Sequence, residues 1–133
     1  MKNMISKIGI KESKKIKDKF KVNRNIYIAI IDGEKIQSWN SFLDNMIEKF
    51  KLPIKGHRNV NVYLDWMRDL EWLDSEGYIL FIENCADFMK EDLEMKGNIV
   101  DDFKNYILPF WDSEVEQVVT GGKTKIFNVY LVD

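Results

Sequence analysis

A chain of 133 residues, 45% hydrophobic and 13% aromatic, has room for one domain with a real core; it is too short for two and too apolar to be disordered. Its net charge of −2 hides an asymmetry: residues 1–25 carry nine Lys and Arg against Glu12 and Asp18, a net of +7, while the rest carries eleven against twenty Asp and Glu, a net of −9. Such an acidic body repels phosphates, which excludes nucleic acid as its direct ligand and points to a basic protein partner drawn in electrostatically.

In chain order, residues 1–25 form a basic N-terminal arm with Ile5, Ile8, Ile16 and Phe20 as scattered anchors. They read as a frayed solubilising arm or a short helix on the edge of the domain, with a membrane-surface or RNA-binding arm as the alternative. Residues 26–133 form the domain itself. Ile26-Tyr27-Ile28-Ala29-Ile30-Ile31 is a near-continuous β-branched run, the pattern of a strand buried on both faces. Asp32-Gly33 makes a turn, and Ser38 caps a helix over residues 39–51 whose Trp39, Phe42, Leu43, Met46, Ile47 and Phe50 recur at helical spacing. Pro53 ends it, and Ile54-Lys55-Gly56-His57-Arg58 leads into the next helix.

That next helix, residues 59–70, has two faces. Val60, Tyr63, Leu64, Met67 and Leu70 form an apolar stripe, while Asn61, Asp65 and Asp69 fall at i, i+4 and i+8 on another face. Like charges four residues apart repel by a few tenths of a kcal/mol. No Lys or Arg stands at Asn61 or Asp65 to offset the repulsion, so the row reads either as a solvated face or as one kept for a cationic partner. After a turn at residues 74–77, Tyr78-Ile79-Leu80-Phe81-Ile82 is a second buried strand. Asp87 is expected to cap a short helix that Gly97 terminates, Asn98 to cap another, and Pro109 to kink or end it. Residues 112–123 read as polar and irregular, and residues 124–132 as a third strand. Strands separated by helical crossovers pair in parallel, so the expected fold is α/β, a three-stranded parallel sheet flanked by helices.

Catalytic constellations are missing. The single histidine, His57, and the single cysteine, Cys85, form a dyad only if the fold brings them together, and a buried Cys85 at a strand end is the plainer reading. No Cys/His pair has metal-ligand spacing, Asp65, Asp69 and Asp74 are poorly arranged to converge on magnesium, and Gly121-Gly122 precedes a strand, the wrong context for a phosphate cradle. The chain therefore reads as a non-enzyme with neither cofactor nor metal. One cysteine cannot form an internal disulfide, and the N-terminus has no continuous apolar run, so a cytoplasmic protein without a membrane segment is expected.

Three stretches resemble the barstar-like family. Leu52-Pro53, five loop residues and Asn59-Val60-Asn61-Val62-Tyr63-Leu64-Asp65 are similar to its Leu-Pro, short loop and Asn-Leu-Asp-Ala-Leu-Trp-Asp helix. Ile31-Asp32-Gly33-Glu34-Lys35-Ile36 resembles the family's start and Ile126-Phe127-Asn128-Val129-Tyr130-Leu131 its last strand, so the likeness spans residues 27–133. The resemblance implies an intracellular inhibitor of a secreted ribonuclease, a toxin immunity protein that presses the helix and its preceding loop into the enzyme's basic active site. Asp65 matches the helix's later acidic residue, the one most central to inhibition. Asn61 replaces the earlier one, Leu64 stands where Trp is frequent, Lys55 and Gly56 where the best-known inhibitor has aromatics, and His57 where a loop glycine sits. The candidate partner-facing set is Lys55, Gly56, His57, Arg58, Asn61, Leu64, Asp65, Arg68 and Asp69. An interaction or regulatory module on the same scaffold, without a nuclease partner, is the alternative.

Overall fold

The computed structural model describes residues 2–23, 25–114 and 124–133. In chain order the elements are β1 (Ile5–Ile8), α1 (Ile10–Lys21), β2 (Ile26–Asp32), α2 (Trp39–Phe50), α3 (Val60–Met67), β3 (Gly77–Glu83), α4 (Leu93–Asp102) and β4 (Ile126–Val132). The strands form one sheet in the order β1-β4-β3-β2, and every pair is parallel. Helical crossovers dictate this, because a chain that returns through a helix re-enters the sheet in the same direction. Strands β2 to β4 begin within two residues of the positions expected from sequence.

The sheet has four strands where three were expected, and the extra one comes from the Lys-rich arm. β1 adds to the edge beside β4, with Ile5 opposite Val129 and Ile8 opposite Val132. Four bonds made by Asn3 fix its approach, one of them from its side-chain amide to the Leu108 carbonyl at 3.4 Å. The Asn3 amide donates to Asp112 Oδ1 at 2.9 Å, its side-chain amide donates to the Lys125 carbonyl at 3.1 Å, and its Oδ1 accepts from the Phe127 amide at 2.9 Å. A four-residue strand carries too weak a periodicity to stand out in a charged stretch. The helix that follows, α1, crosses from one edge of the sheet to the other over a face of its own. There Ile16 and Phe20 meet Ile79, Phe81 and Val132. Helices α2, α3 and α4 cover the opposite face and build the larger core, centred on Phe42, Tyr63, Tyr78, Phe103, Trp111 and Phe127.

Two further expectations are corrected. Ile26–Ile31 lies in the edge strand β2, with Ile30 exposed, while β3 is the strand buried along nearly its whole length. A single helix on the α1 face cannot cover all four strands. The pair of helices expected between Asp87 and Pro109 is one helix. Asp92, not Asp87, caps it by accepting from the Met95 amide at 3.1 Å, and Gly97 and Asn98 lie inside it. Gly97 costs about 1 kcal/mol there relative to alanine. The buried stripe Ile99, Phe103, Ile107 and Trp111 outweighs that.

This stripe has a spacing of four, which drifts by about 40° per step on a 3.6-residue helix. The chain counters the drift by widening into π turns at Phe103–Ile107 and Phe110–Glu114. Pro109 sits between them, and the helix passes it without ending, the widened turns accommodating the missing N–H. Residues 112–114 thus belong to this helix, and the remainder of the stretch expected to be irregular, residues 115–123, lies outside the described residues. The turn at Asp32-Gly33 needs glycine for space: a Cβ at Gly33 would come within 2.7 Å of the Glu83 carbonyl and of Phe88 Cβ.

If the N-terminal segment is integral to the sheet, Phe20→Ala lowers unfolding stability by about 1–3 kcal/mol, read as a shift in urea midpoint. A frayed arm would leave stability within about 0.5 kcal/mol.

Candidate partner-binding site

Helix α3 has eight residues, too few to persist alone in water, so its position depends on what holds its ends. Asn59 supplies the N-cap, its Oδ1 accepting from the Val62 amide at 3.0 Å. Tyr63, Leu64 and Met67 anchor the inner face. Three indole N–H groups fix the surrounding backbone: Trp39 donates to the Arg58 carbonyl at 2.7 Å, Trp72 to the Phe50 carbonyl at 2.9 Å and Trp111 to the Met67 carbonyl at 3.0 Å. The first holds the entry to α3, the third its exit, and the second the end of α2. Each ring is partly or wholly buried, and each spends its one polar atom on a carbonyl that a helix end or loop would otherwise leave unpaired.

On the outer face Asn61 and Asp65 are exposed, the Asp65 side chain to 74%. Lys55, Gly56 and His57 are exposed at the tip of the preceding loop. The other candidates are placed differently. Leu64 is 8% exposed and packs into the core, so the position is not a surface contact. Arg58 is turned toward α2, where its guanidinium meets Asp44 Oδ1 at 2.6 Å and the Asn40 carbonyl at 3.0 Å, tying the loop down. The helix ends at Met67, so Asp69 is not on it; Asp69 Oδ1 instead accepts from the Glu71 amide at 3.2 Å. Leu70, fully buried, holds a left-handed conformation (φ 56°) that redirects the chain. That costs an L-residue about 1–2 kcal/mol, offset by burying the leucine.

Asp65 is also not uncompensated. Arg68 donates to Asp65 Oδ1 at 3.1 Å and to the Leu64 carbonyl at 3.1 Å. The compensating charge stands at i+3, a spacing that a row of carboxylates at steps of four does not contain. An exposed pair of this kind is worth about 0–1 kcal/mol, so a stronger partner can break it.

Beyond the helix the turns add carboxylates that the helical reading did not include. Glu71, Asp74 and Glu76 are exposed. Asp74 and Glu76 converge with Asp69 around one aromatic patch. Burial, then Asp69 and Asp74, push the Tyr78 hydroxyl far above its ordinary range, and Asp74 and Glu76 both act on Lys125, whose pKa burial lowers. Lys125 Nζ lies 5.6 Å from the Tyr78 ring centre and 5.8 Å from that of Trp111. The available signal was plain composition, with four acidic residues among the eight at 69–76. The arrangement can bind cations; it offers no nucleophile. Cys85 is 2% exposed with its thiol pushed up by burial, the reverse of activation, while His57 sits on the exposed loop. No group of three or more His, Cys, Asp or Glu among the described residues is placed to hold a metal, and no described helix is long and apolar enough to cross a membrane.

A family model described as Barstar (barnase inhibitor) matches residues 26–119. No curated protein matches the sequence. Two solved structures of the Aeropyrum pernix ORC2 protein share the fold: an ADPNP-ADP form at 12% identity and TM-score 0.52, and an ADP form at 13% and 0.51. In each case 98% of this chain aligns with 35% of that one, so it spans about a third of their length.

Behind the site, the Tyr63 hydroxyl is buried without a hydrogen-bond partner among the described residues, and Asp102 lies near enough to raise its pKa further. Burial first, then Asp101, raise the pKa of Asp102 itself. A carboxyl whose folded pKa is raised destabilises the fold as pH climbs through that pKa, and carries no penalty below its unfolded value. Asp102→Asn should therefore raise the melting temperature at pH 7, with the gain vanishing as pH falls toward 3.8, followed by thermal melts across that range.

Proposed function

The chain belongs to the Barstar family, and we propose that it is a cytoplasmic immunity protein that inhibits a basic ribonuclease, the toxin of a toxin–antitoxin pair. A ribonuclease active site is cationic because it must hold phosphates, and Arg or Lys there pairs with carboxylates at charge-assisted hydrogen-bond distance. The exposed face of α3, with Asn61 and Asp65, and the turns carrying Asp69, Glu71, Asp74 and Glu76 supply carboxylates in place of those phosphates. Lys55, Gly56 and His57 form the rim that excludes substrate. The observation that carries this reading is the family match over residues 26–119 together with the exposure of Asp65 on a backbone held at both ends of α3.

Arg68 gives the reading a specific energetic form. Free, the protein keeps Asp65 in a weak internal pair; bound, an enzyme cation replaces Arg68. That exchange is feasible because the internal pair is exposed and worth little, whereas a desolvated intermolecular pair is worth several times more.

A second reading, an interaction module without a nuclease partner, is favoured by the same Arg68 contact and by Asn61 standing where a carboxylate is expected. Inhibition assays against barnase and against a ribonuclease encoded beside this chain separate the two. Under the first reading Asp65→Ala weakens inhibition by about 2–5 kcal/mol, the general cost of stranding one member of a buried charge pair. Arg68→Gln strengthens it, and association slows as salt rises. Wild-type inhibition by Asp65→Ala at moderate salt would remove Asp65 from the site. Failure to inhibit either nuclease would favour the second reading.

A further inference from the structure

The two edges of the sheet are built differently. At one edge β1 has four residues and carries the exposed Lys7, a short and charged strand of the kind that resists further pairing. At the other edge β2 runs for seven residues, Ile26-Tyr27-Ile28-Ala29-Ile30-Ile31-Asp32. It has no lysine, no proline and no charge before its last residue. A long apolar edge of this kind is an open template for another strand.

The pairing with β3 fixes what this edge presents. The Glu76 amide donates to the Asn25 carbonyl at 2.8 Å, and Ile26 lies opposite Gly77. A parallel strand bonds one neighbour through alternate residues. Tyr27, Ala29 and Ile31 therefore turn their main-chain groups toward β3, while Ile26, Ile28 and Ile30 turn theirs away from the sheet. The Ile26 amide is taken by the Asn23 carbonyl at 3.3 Å. Ile28 and Ile30 make no main-chain hydrogen bond outside the sheet to a described residue.

The side chains alternate as well. Tyr27, Ala29 and Ile31 belong to the larger core, and Ile26 and Ile28 pack against the smaller core under α1. Ile30, next in line on the α1 face, is 38% exposed. The same residue thus leaves both its main chain and its side chain unpartnered among the described residues.

We propose that β2 pairs with β2 of a second copy of the chain, antiparallel about a two-fold axis through Ala29, so that two sheets become one. In this register Ile28 of each copy exchanges both main-chain bonds with Ile30 of the other, and their side chains cover one another on the α1 face. Charge complements the pairing. Asp32, the only charge in the strand, falls opposite Ile26 of the second copy, which leaves the two Asp32 carboxylates about 20 Å apart and screened from each other. The sequence leading into β2 is basic, with Lys19, Lys21 and Arg24 against Asp18, and its end is acidic, with Asp32 and Glu34 against Lys35. The two-fold brings each acidic end to the other copy's basic approach. A net charge of −2 opposes association only weakly. The pairing uses no residue of the nuclease-facing surface and does not rest on that reading. A single strand pair belongs to the small, transient class of interfaces, with a dissociation constant of about 10–100 µM expected.

The test is sedimentation equilibrium of the full chain from about 5 µM to about 1 mM, a range that brackets the expected affinity. The mass should climb from monomer to dimer with concentration. Ile30→Lys, at an exposed position, should keep the melting temperature of the dilute chain yet weaken association at least about tenfold, because it puts a charge on the paired edge. Lys7→Glu, on the opposite edge, should leave association unchanged. Ala29→Cys in a Cys85→Ala background should cross-link the dimer under mild oxidation, since residues facing each other at the axis sit about 4.5 Å apart, within disulfide reach. A monomer mass throughout would overturn the proposal, as would a dimer indifferent to Ile30→Lys. A dimer that Ala29→Cys does not cross-link would overturn the register. A monomeric chain whose β2 amides gain exchange protection only with a ribonuclease bound would assign the edge to that enzyme and overturn the dimer.

Discussion

The site depends on three indole hydrogen bonds that fix the backbone around a helix too short to fix itself. Trp39, Trp72 and Trp111 come from α2, from the turn after α3 and from the widened end of the α4 helix, yet each donates to a carbonyl bordering α2 or α3. One net hydrogen bond contributes about 1 kcal/mol, so their value lies less in stability than in position. Each also carries a large ring into the core. Trp39 packs edge-on against Tyr63 at 5.5 Å, and Trp111 against Tyr78 at 5.1 Å. Displacing one carbonyl therefore disturbs the core beneath the site.

Such anchoring permits a surface with little stabilising role. With Tyr63, Leu64 and Met67 holding α3 from below, Asn61 and Asp65 are free to be chosen for what they bind. Arg58 and Arg68 divide the cationic work: the first secures the loop to α2, the second neutralises Asp65 while the surface faces water. The left-handed turns at Leu70 and Asp74 then fold the acidic stretch around Tyr78 and Lys125, so that charges adjacent in sequence become a patch.

Much of this was legible in the sequence because periodicity reports burial. The strands β2, β3 and β4, the Ser38 cap and the inner face of α3 all follow from apolar spacing. Three features escaped for physical reasons. β1 has four residues, two of them polar, and gains its identity only by pairing with β4. Gly97 and Pro109 are breakers in isolation, overridden by the stripe through Ile99, Phe103, Ile107 and Trp111. The end of α3 at Met67 is set by the Trp111 contact and the turn at Leu70, which is tertiary information; hence Asp69 was expected one turn further along a helix that has already stopped.

The surface proposed to meet a ribonuclease is the face pinned by these tryptophans. Hydrogen–deuterium exchange of the chain, free and saturated with an inhibited ribonuclease, tests it most directly. Added protection is expected over residues 55–65 and 68–76, with none at α1 or the exposed edge of β2. Protection centred on α1 or β2, with α3 unchanged, would contradict it.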